Sequence, residues 1–330
     1  MDNNGKFENN ISMNKLYLMR NPHIFQGEKY LYKNRNYFEG WYFKNINNKD
    51  GISFIPGINI DENNKKAFIQ VITNDSSYFI DYNINDFKYN CNPFCVKIGN
   101  NVFSEDDIYI DIHDASQNIK INGDISYTNT KNIKTNFFNP NIMGPFSYVP
   151  YMECNHAILS MKNKIDGLIN INDKEMNFNN GIGYIEKDWG ISFPKSYIWC
   201  QGNNFRKSNA SFMISIANIP LKFLEFKGII CVLIIDNKEY KFTTYNNTKI
   251  IEYEVDNNLI NITLKRGTYY INFKSKYDGG IKLIAPIKGK MKKDILESIS
   301  SSITVTLQKN DDIIFRDTSI NCGLEVVKAF

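Results

Sequence analysis

The stretch GYIEKDWGISFP (183–194) carries the side chains best suited to chemistry. Successive side chains of a strand point to opposite faces, so Tyr184, Glu186 and Asp188 share one side and Ile185, Lys187 and Trp189 the other. Turning either face inward buries charge, which costs several kcal/mol unless the charge is paired. Two carboxylates side by side repel when both ionise, and burial pushes the same way, so at least one would hold its proton near neutrality and serve as an acid. The ordinary alternative has Lys187 reaching out to water along its stem while Ile185 and Trp189 pack. Two further segments combine aromatics with polar groups. In YFEGWYFK (37–44), Tyr37, Glu39, Trp41 and Phe43 share one side and Phe38, Gly40, Tyr42 and Lys44 the other. Glu39 is then either a surface residue beside an edge aromatic or an enclosed acid. In YIWCQGN (197–203), Tyr197, Trp199 and Gln201 fall together. Tryptophan near a carboxyl or amide suits a ligand pocket, and equally a core with a satisfied indole N–H.

Other chemistries find little support. His23, His113 and His156 show no HxH or i,i+4 spacing, so no metal site is expected. His156, between MEC and an apolar strand, reads first as a hydrogen-bonded core residue. Six scattered cysteines without paired CxxC spacing read as reduced structural thiols. No Gly-rich phosphate loop, GxSxG elbow or Cys/His dyad is present. The net charge of +4 is too balanced to imply nucleic acid. The longest apolar run, Ile229–Ile235, is far shorter than the ~20 residues that cross a bilayer. With a polar N-terminus, MDNNGKFENN, the expected place is the cytoplasm. The basic run KGKMKKD (288–294) reads as a solvated face, with contact to anionic lipid head groups as the alternative.

The elements that must position these residues are mostly strands. A 14% aromatic share, chiefly Tyr and Phe, favours pleated surfaces. KAFIQVIT (66–73), SYFIDYNI (77–84), DDIYIDI (106–112), SFMISIANI (211–219), GIICVLIID (228–236), KEYKFTTY (238–245), KIIEYEVD (249–256), NLINITLKR (258–266) and TYYINFKSK (268–276) all read as strands. Asn122-Gly123 predicts a hairpin, and another turn is expected near 163–166. Asp236-Asn237 and Asn257-Asn258 mark tight turns. Met291, Ile295 and Ile299, four apart, predict one late helix over 291–302. The fold class that follows is all-β: two antiparallel barrel or curled-sheet lobes, 1–178 and 179–330, with that short helix. An Asn-, Pro- and Gly-rich loop over 137–150 is expected above a pocket mouth.

Together YFEGWYFK, GPFSYVPYMECNHAILSM and GIGYIEKDWGISFPKSYIWCQGNNF, in that order over about residues 35–205, resemble the tocopherol cyclase-like family. The resemblance implies paired lipocalin-like lobes, as in the wider clan that includes carotenoid hydratases. It also implies closure of a ring on a prenylated quinol. The chain shows no plastid-targeting extension, so the resemblance bears on fold and pocket more than on substrate. Such a reaction protonates a prenyl double bond, and a phenolic oxygen captures the tertiary cation. It calls for a neutral acid, aromatic faces and exclusion of water, and for no cofactor. Glu186 or Asp188 is then the expected acid, and His156 or Glu39 orients the phenol or takes its proton. Trp41, Trp189 and Trp199 line the cavity with Tyr42, Tyr184 and Gln201; a well-placed ring contributes ~0.5–2 kcal/mol to a cation. The partner is a hydrophobic small molecule, at most with peripheral membrane contact. The same acid also serves hydration of an isoprenoid, and the same pocket a non-catalytic carrier.

Overall fold

The computed structural model describes residues 15–33, 35–150, 152–221, 224–256, 258–277 and 279–327. The described residues form twenty-two strands and two short helices, Lys15–Arg20 and Glu28–Leu31. A twelve-stranded sheet holds the strands from Tyr37–Ile46 to Gly181–Gly190, and a ten-stranded sheet those from Tyr197–Gly202 to Asp312–Val327. Neighbours pair antiparallel, as short-range β connections favour. Neither sheet closes: the first ends on Ser77–Asn83 and Phe87–Cys91, the second on Lys238–Thr243 and Lys249–Asp256. Each curls around its own apolar core, and a third apolar cluster with Tyr42, Ile158, Tyr184, Trp199, Val232 and Ile299 lies between them. The fold is thus all-β, as the strand patterns predict, with two open, curled lobes of the lipocalin-like kind that the resemblance implies.

The chain passes between sheets after Gly190 and before Tyr197, rather than near residue 178. The reason is pairing: Gly181–Gly190 sits in the middle of the first sheet, between Tyr37–Ile46 and Cys154–Ile171. Three other local expectations are corrected. The segment expected as a helix is part of one strand, Lys290–Lys309. Spacing of four keeps parity on a strand as well as on a helix face, and alternate burial there shows the strand period. Asn122-Gly123 makes no hairpin, because Ile119–Lys131 runs through it. Gly123, at φ +142, instead lets the strand press on its neighbour, where a Cβ would stand 2.0 Å from the Leu168 carbonyl oxygen. The turn expected near 163–166 is the interior of Cys154–Ile171, whose irregularity is taken up by register shifts between Ile158 and Asn163.

The run KGKMKKD lies on the tight turn at Lys288-Gly289 and the start of the following strand. Asp236-Asn237 forms its expected positive-φ turn; Asn257 lies outside the described residues. Residues 1–14, whose polarity underlies the expected cytoplasmic location, also lie outside them. Among the described residues no helix is long and apolar enough to cross a membrane.

Candidate active site

The faces that the two sheets turn toward each other enclose a cleft whose empty space, counted out to its open mouth, is about 1280 Å³. Its walls are mainly apolar and aromatic, including Phe38, Tyr42, Phe193, Trp199 and Phe226. Met143 and Phe146 reach in from the 137–150 loop, so that loop does border the cleft. Phe146 stacks on Phe226, 5.8 Å between ring centres, which ties the loop to the second sheet.

Strand register assembles the first polar wall. Gly181–Gly190 sets Glu186 beside Ile158 and Asp188 beside His156 on one side, with Tyr42 and Gly40 as their partners on the other. The acidic face of this strand is therefore the one turned to the cleft. His156 Nδ1 lies 3.0 Å from Asp188 Oδ1, and His156 Nε2 lies 3.5 Å from Glu186 Oε2 without a hydrogen-bond partner. Glu186 Oε2 accepts from the Tyr184 hydroxyl at 2.5 Å and from the Trp199 indole N–H at 3.1 Å. The Glu186 side chain is 6% exposed and that of Asp188 22%. Glu186 is thus the enclosed acid, and Asp188 fixes the imidazole ring.

Burial drives the Glu186 carboxyl from 4.5 up to about 7, against the pull of the neighbouring His156 charge. For His156, burial lowers the value, but the Asp188 and Glu186 carboxylates outweigh it and hold the imidazole at about 9. Near neutrality the trio therefore holds protons at His156 and, in part, at Glu186. The ligand atoms of all three lie within 4.8 Å of one another, a spacing that a cation could also occupy, where sequence spacing gave no hint of one.

A second polar wall comes from the other sheet, and its residues escaped the sequence reading. Glu297 and Glu325 are direct cross-strand neighbours and both line the cleft. Glu297 Oε1 accepts from the Tyr42 hydroxyl at 2.5 Å, and Glu325 Oε2 from the Tyr197 hydroxyl at 2.5 Å. Burial, reinforced by Glu325, pushes Glu297 well above the usual carboxylate range. Burial raises Glu325 to about 8, with the Tyr197 hydrogen bond acting against it. The helix assignment hid Glu297. Read as a strand, Ile295, Glu297 and Ile299 alternate on one buried face, and the acid among them is the signal.

The remaining expected site residues separate by face. Tyr42 and Trp199 line the cleft, and Tyr184 supports it through Glu186. Gln201 shares Trp199's face but lies deeper, fully buried and accepting from Lys44 Nζ at 3.1 Å. Glu39, Trp41 and Trp189 point the other way, into or against the core of the first sheet. Their odd positions oppose Glu186 and Asp188, so alternation excludes them from the acid's surroundings. Nor does Lys187 reach out to water. It pairs with Glu39 at 2.5 Å, donates to the Pro22 and Ile24 carbonyls at 2.8 and 2.6 Å, and lies between the Trp41 and Trp189 rings.

A family model described as tocopherol cyclase-like matches residues 114–327. The match takes in GIGYIEKDWG, His156 and both glutamates of the second wall, and leaves out YFEGWYFK. No curated protein matches the chain by sequence. Among solved structures, CghA aligns with 89% of this chain and 89% of its own, at TM-score 0.51 and 7% identity. CghA with Sch210972 aligns over the same shares at 0.52 and 10%. A candidate AttH from Nitrosomonas europaea aligns with 89% of this chain and 93% of its own, at 0.50 and 10%. Identities this low speak for a shared fold alone.

Proposed function

The chain belongs to the tocopherol cyclase-like family, and we propose that it is an acid-initiated cyclase of a hydrophobic, unsaturated small molecule, with a prenylated quinol as the model substrate. One observation carries the reading: Glu186, enclosed at the cleft wall, binds its proton with a value of about 7. A general acid is most effective when its pKa lies near the working pH. Neutral Glu186 gives its proton to a double bond of the ligand, leaving a tertiary cation and a carboxylate. Trp199 and Tyr42 offer π-faces to that cation. Folding the chain within the cleft brings the phenolic oxygen to the cationic carbon, a gain of orientation rather than of new bonds. When the C–O bond forms, the phenolic proton returns to the Glu186 carboxylate, so the product is an isomer and the acid is restored. Asp188 holds His156 beside Glu186, and the imidazolium keeps the carboxyl from rising further. No step calls for a cofactor. Six free thiols suit a reducing compartment, which supports the cytoplasm as the place of action.

The test is turnover of a prenylated quinol by the whole chain. Glu186→Gln is expected to lose roughly 10²- to 10⁴-fold in rate, and Asp188→Asn less. Full turnover by both variants would refute the assignment. Product mass and chromatographic retention separate the rivals: a gain of one water marks hydration, equal mass at a new retention time marks cyclisation, and ligand unchanged in both marks a carrier.

A further inference from the structure

The second wall is not needed to supply the proton, yet it is built with equal care. Glu297 and Glu325 stand directly opposite each other on the hairpin of Lys290–Lys309 and Asp312–Val327. Like charges facing each other across a strand pair are destabilising. Lys44, on a strand of the first sheet, draws Glu297 down by its charge, but its Nζ is bonded to the Gln201 and Asn321 oxygens, at 3.1 and 2.6 Å, rather than to the pair. The other groups facing the pair are Tyr42, Tyr197, Glu186 and Asp188, with Lys293 on the same hairpin. Each glutamate receives one phenol O–H, which leaves Glu297 Oε2 fully buried at the cleft wall with no partner. Buried polar atoms are nearly always satisfied, so an unsatisfied one at a cleft wall marks a place for a ligand atom.

We propose that the Glu297–Glu325 pair shares a proton and binds the carbonyl or hydroxyl oxygen of the ligand through a carboxylic O–H. A carboxylate only accepts hydrogen bonds, whereas its protonated form donates one, so the complement is an oxygen acceptor and not an ammonium group. Trp199 links the two walls, being the cross-strand neighbour of Glu325 and the hydrogen-bond donor to Glu186. The ligand class is therefore an apolar, unsaturated molecule whose oxygen docks on the second sheet while its double bond meets the first. The inference rests on the proposed function in taking this cleft as the ligand site and in giving the ligand a double bond; the oxygen contact itself does not need the acid.

Two probes of matched size, 2-acetylnaphthalene and 2-ethylnaphthalene, isolate the oxygen. Their dissociation constants are measured by calorimetry on the whole chain at pH 6. The ratio favouring the ketone is expected to fall about tenfold in Glu297→Leu, the worth of one buried hydrogen bond. It should persist in Glu297→Gln, whose amide still donates. Binding of the ethyl compound reports that the cleft is intact. An unchanged ratio in Glu297→Leu, or its loss in Glu297→Gln, overturns the proposal. Because no turnover is involved, retained activity in Glu186→Gln would sink the acid mechanism and leave this oxygen site standing.

Discussion

Removing the Tyr184 hydroxyl should make Glu186 a weaker acid, and the size of the change follows from the geometry. The phenol donates to Glu186 Oε2 at 2.5 Å, inside a site where the carboxyl already sits at about 7. A hydrogen bond to a charged group contributes about 1.5–3 kcal/mol, and about 1.4 kcal/mol corresponds to one pKa unit. Tyr184→Phe keeps the ring and its burial but loses that stabilisation of the carboxylate, so the titration should move up by about one to two units. Trp199 supplies the reporter, because its indole N–H is bonded to the same oxygen. The Trp41 indole bonds instead to the His23 carbonyl. Indole ¹⁵N resonances followed against pH, with Trp199 assigned by its loss in Trp199→Phe, should show an inflection near 7 in the wild type and above 8 in the variant. Turnover of a prenylated quinol should keep its alkaline limb one to two units further up. A wild-type inflection below pH 5, or one that stays put in Tyr184→Phe, would show that Glu186 is solvated and that the acid has been misassigned.

Four further outcomes follow from other parts of the molecule. Lys187→Met leaves Glu39 buried without its cation and should cost about 3–5 kcal/mol in urea unfolding. Adding Glu39→Gln should recover most of that loss, with turnover of the double variant near the wild-type level at permissive temperature. Glu186, Glu325 and His156 hold protons more tightly folded than unfolded, at about 7, 8 and 9, chiefly through burial for the glutamates and through Asp188 and Glu186 against burial for the histidine. Their stabilisation is complete below the unfolded values and is lost as pH rises through the folded ones. His23, lowered to about 4 by burial and Lys187, opposes this trend below 6.5, and Lys187, lowered to about 8 by burial, opposes it above 8. The unfolding free energy should therefore fall between pH 6.5 and 8, by up to about 1.4 kcal/mol per pH unit for each proton held only in the fold, and the melting temperature should fall with it. Dialysis against a chelator should leave turnover unchanged; a loss restored by a divalent cation would assign the His156 cluster to a metal instead. Gly144, at φ +58 with a would-be Cβ 2.6 Å from the Tyr245 ring, should not tolerate alanine without shifting the loop, read as weaker binding of 2-ethylnaphthalene by calorimetry.

Much of this arrangement can be read from residue order alone, and what cannot has an identifiable cause. Parity sorted Tyr184, Glu186 and Asp188 from Lys187 and Trp189 correctly, because alternation is local. It could not say which set faced the cleft, since both sides of Gly181–Gly190 are largely buried and no polar face marks the outside. The pairing of Lys187 with Glu39 was equally hidden, as it depends on the register that places Trp41 beside Lys187. Glu297 was lost to a spacing that serves two periods at once. Glu325 lay in a C-terminal strand whose neighbour had been read as helix, so its partner across the hairpin was missing. The Asn-Gly and Asn163–Asp166 signals were real backbone signals, but long strands used them for a close approach and for bulges rather than for reversal.

The two faces of the central strands deal with buried charge in opposite ways, and the contrast locates the chemistry. On the core side, Glu39 is offset by the Lys187 ammonium at 2.5 Å and further held by the Gln26 N–H and the Tyr37 hydroxyl. Three charged or polar donors thus meet that carboxylate. On the cleft side, Glu186, Glu297 and Glu325 receive phenol or indole donors, and Glu186 also has the His156 imidazole at 3.5 Å. Burial outweighs these partners, and the three carboxyls bind protons at a pH where an ordinary glutamate is an anion. These raised carboxyls line an open apolar cleft, where a bound molecule can reach them, and that is the physical ground for placing proton transfer there.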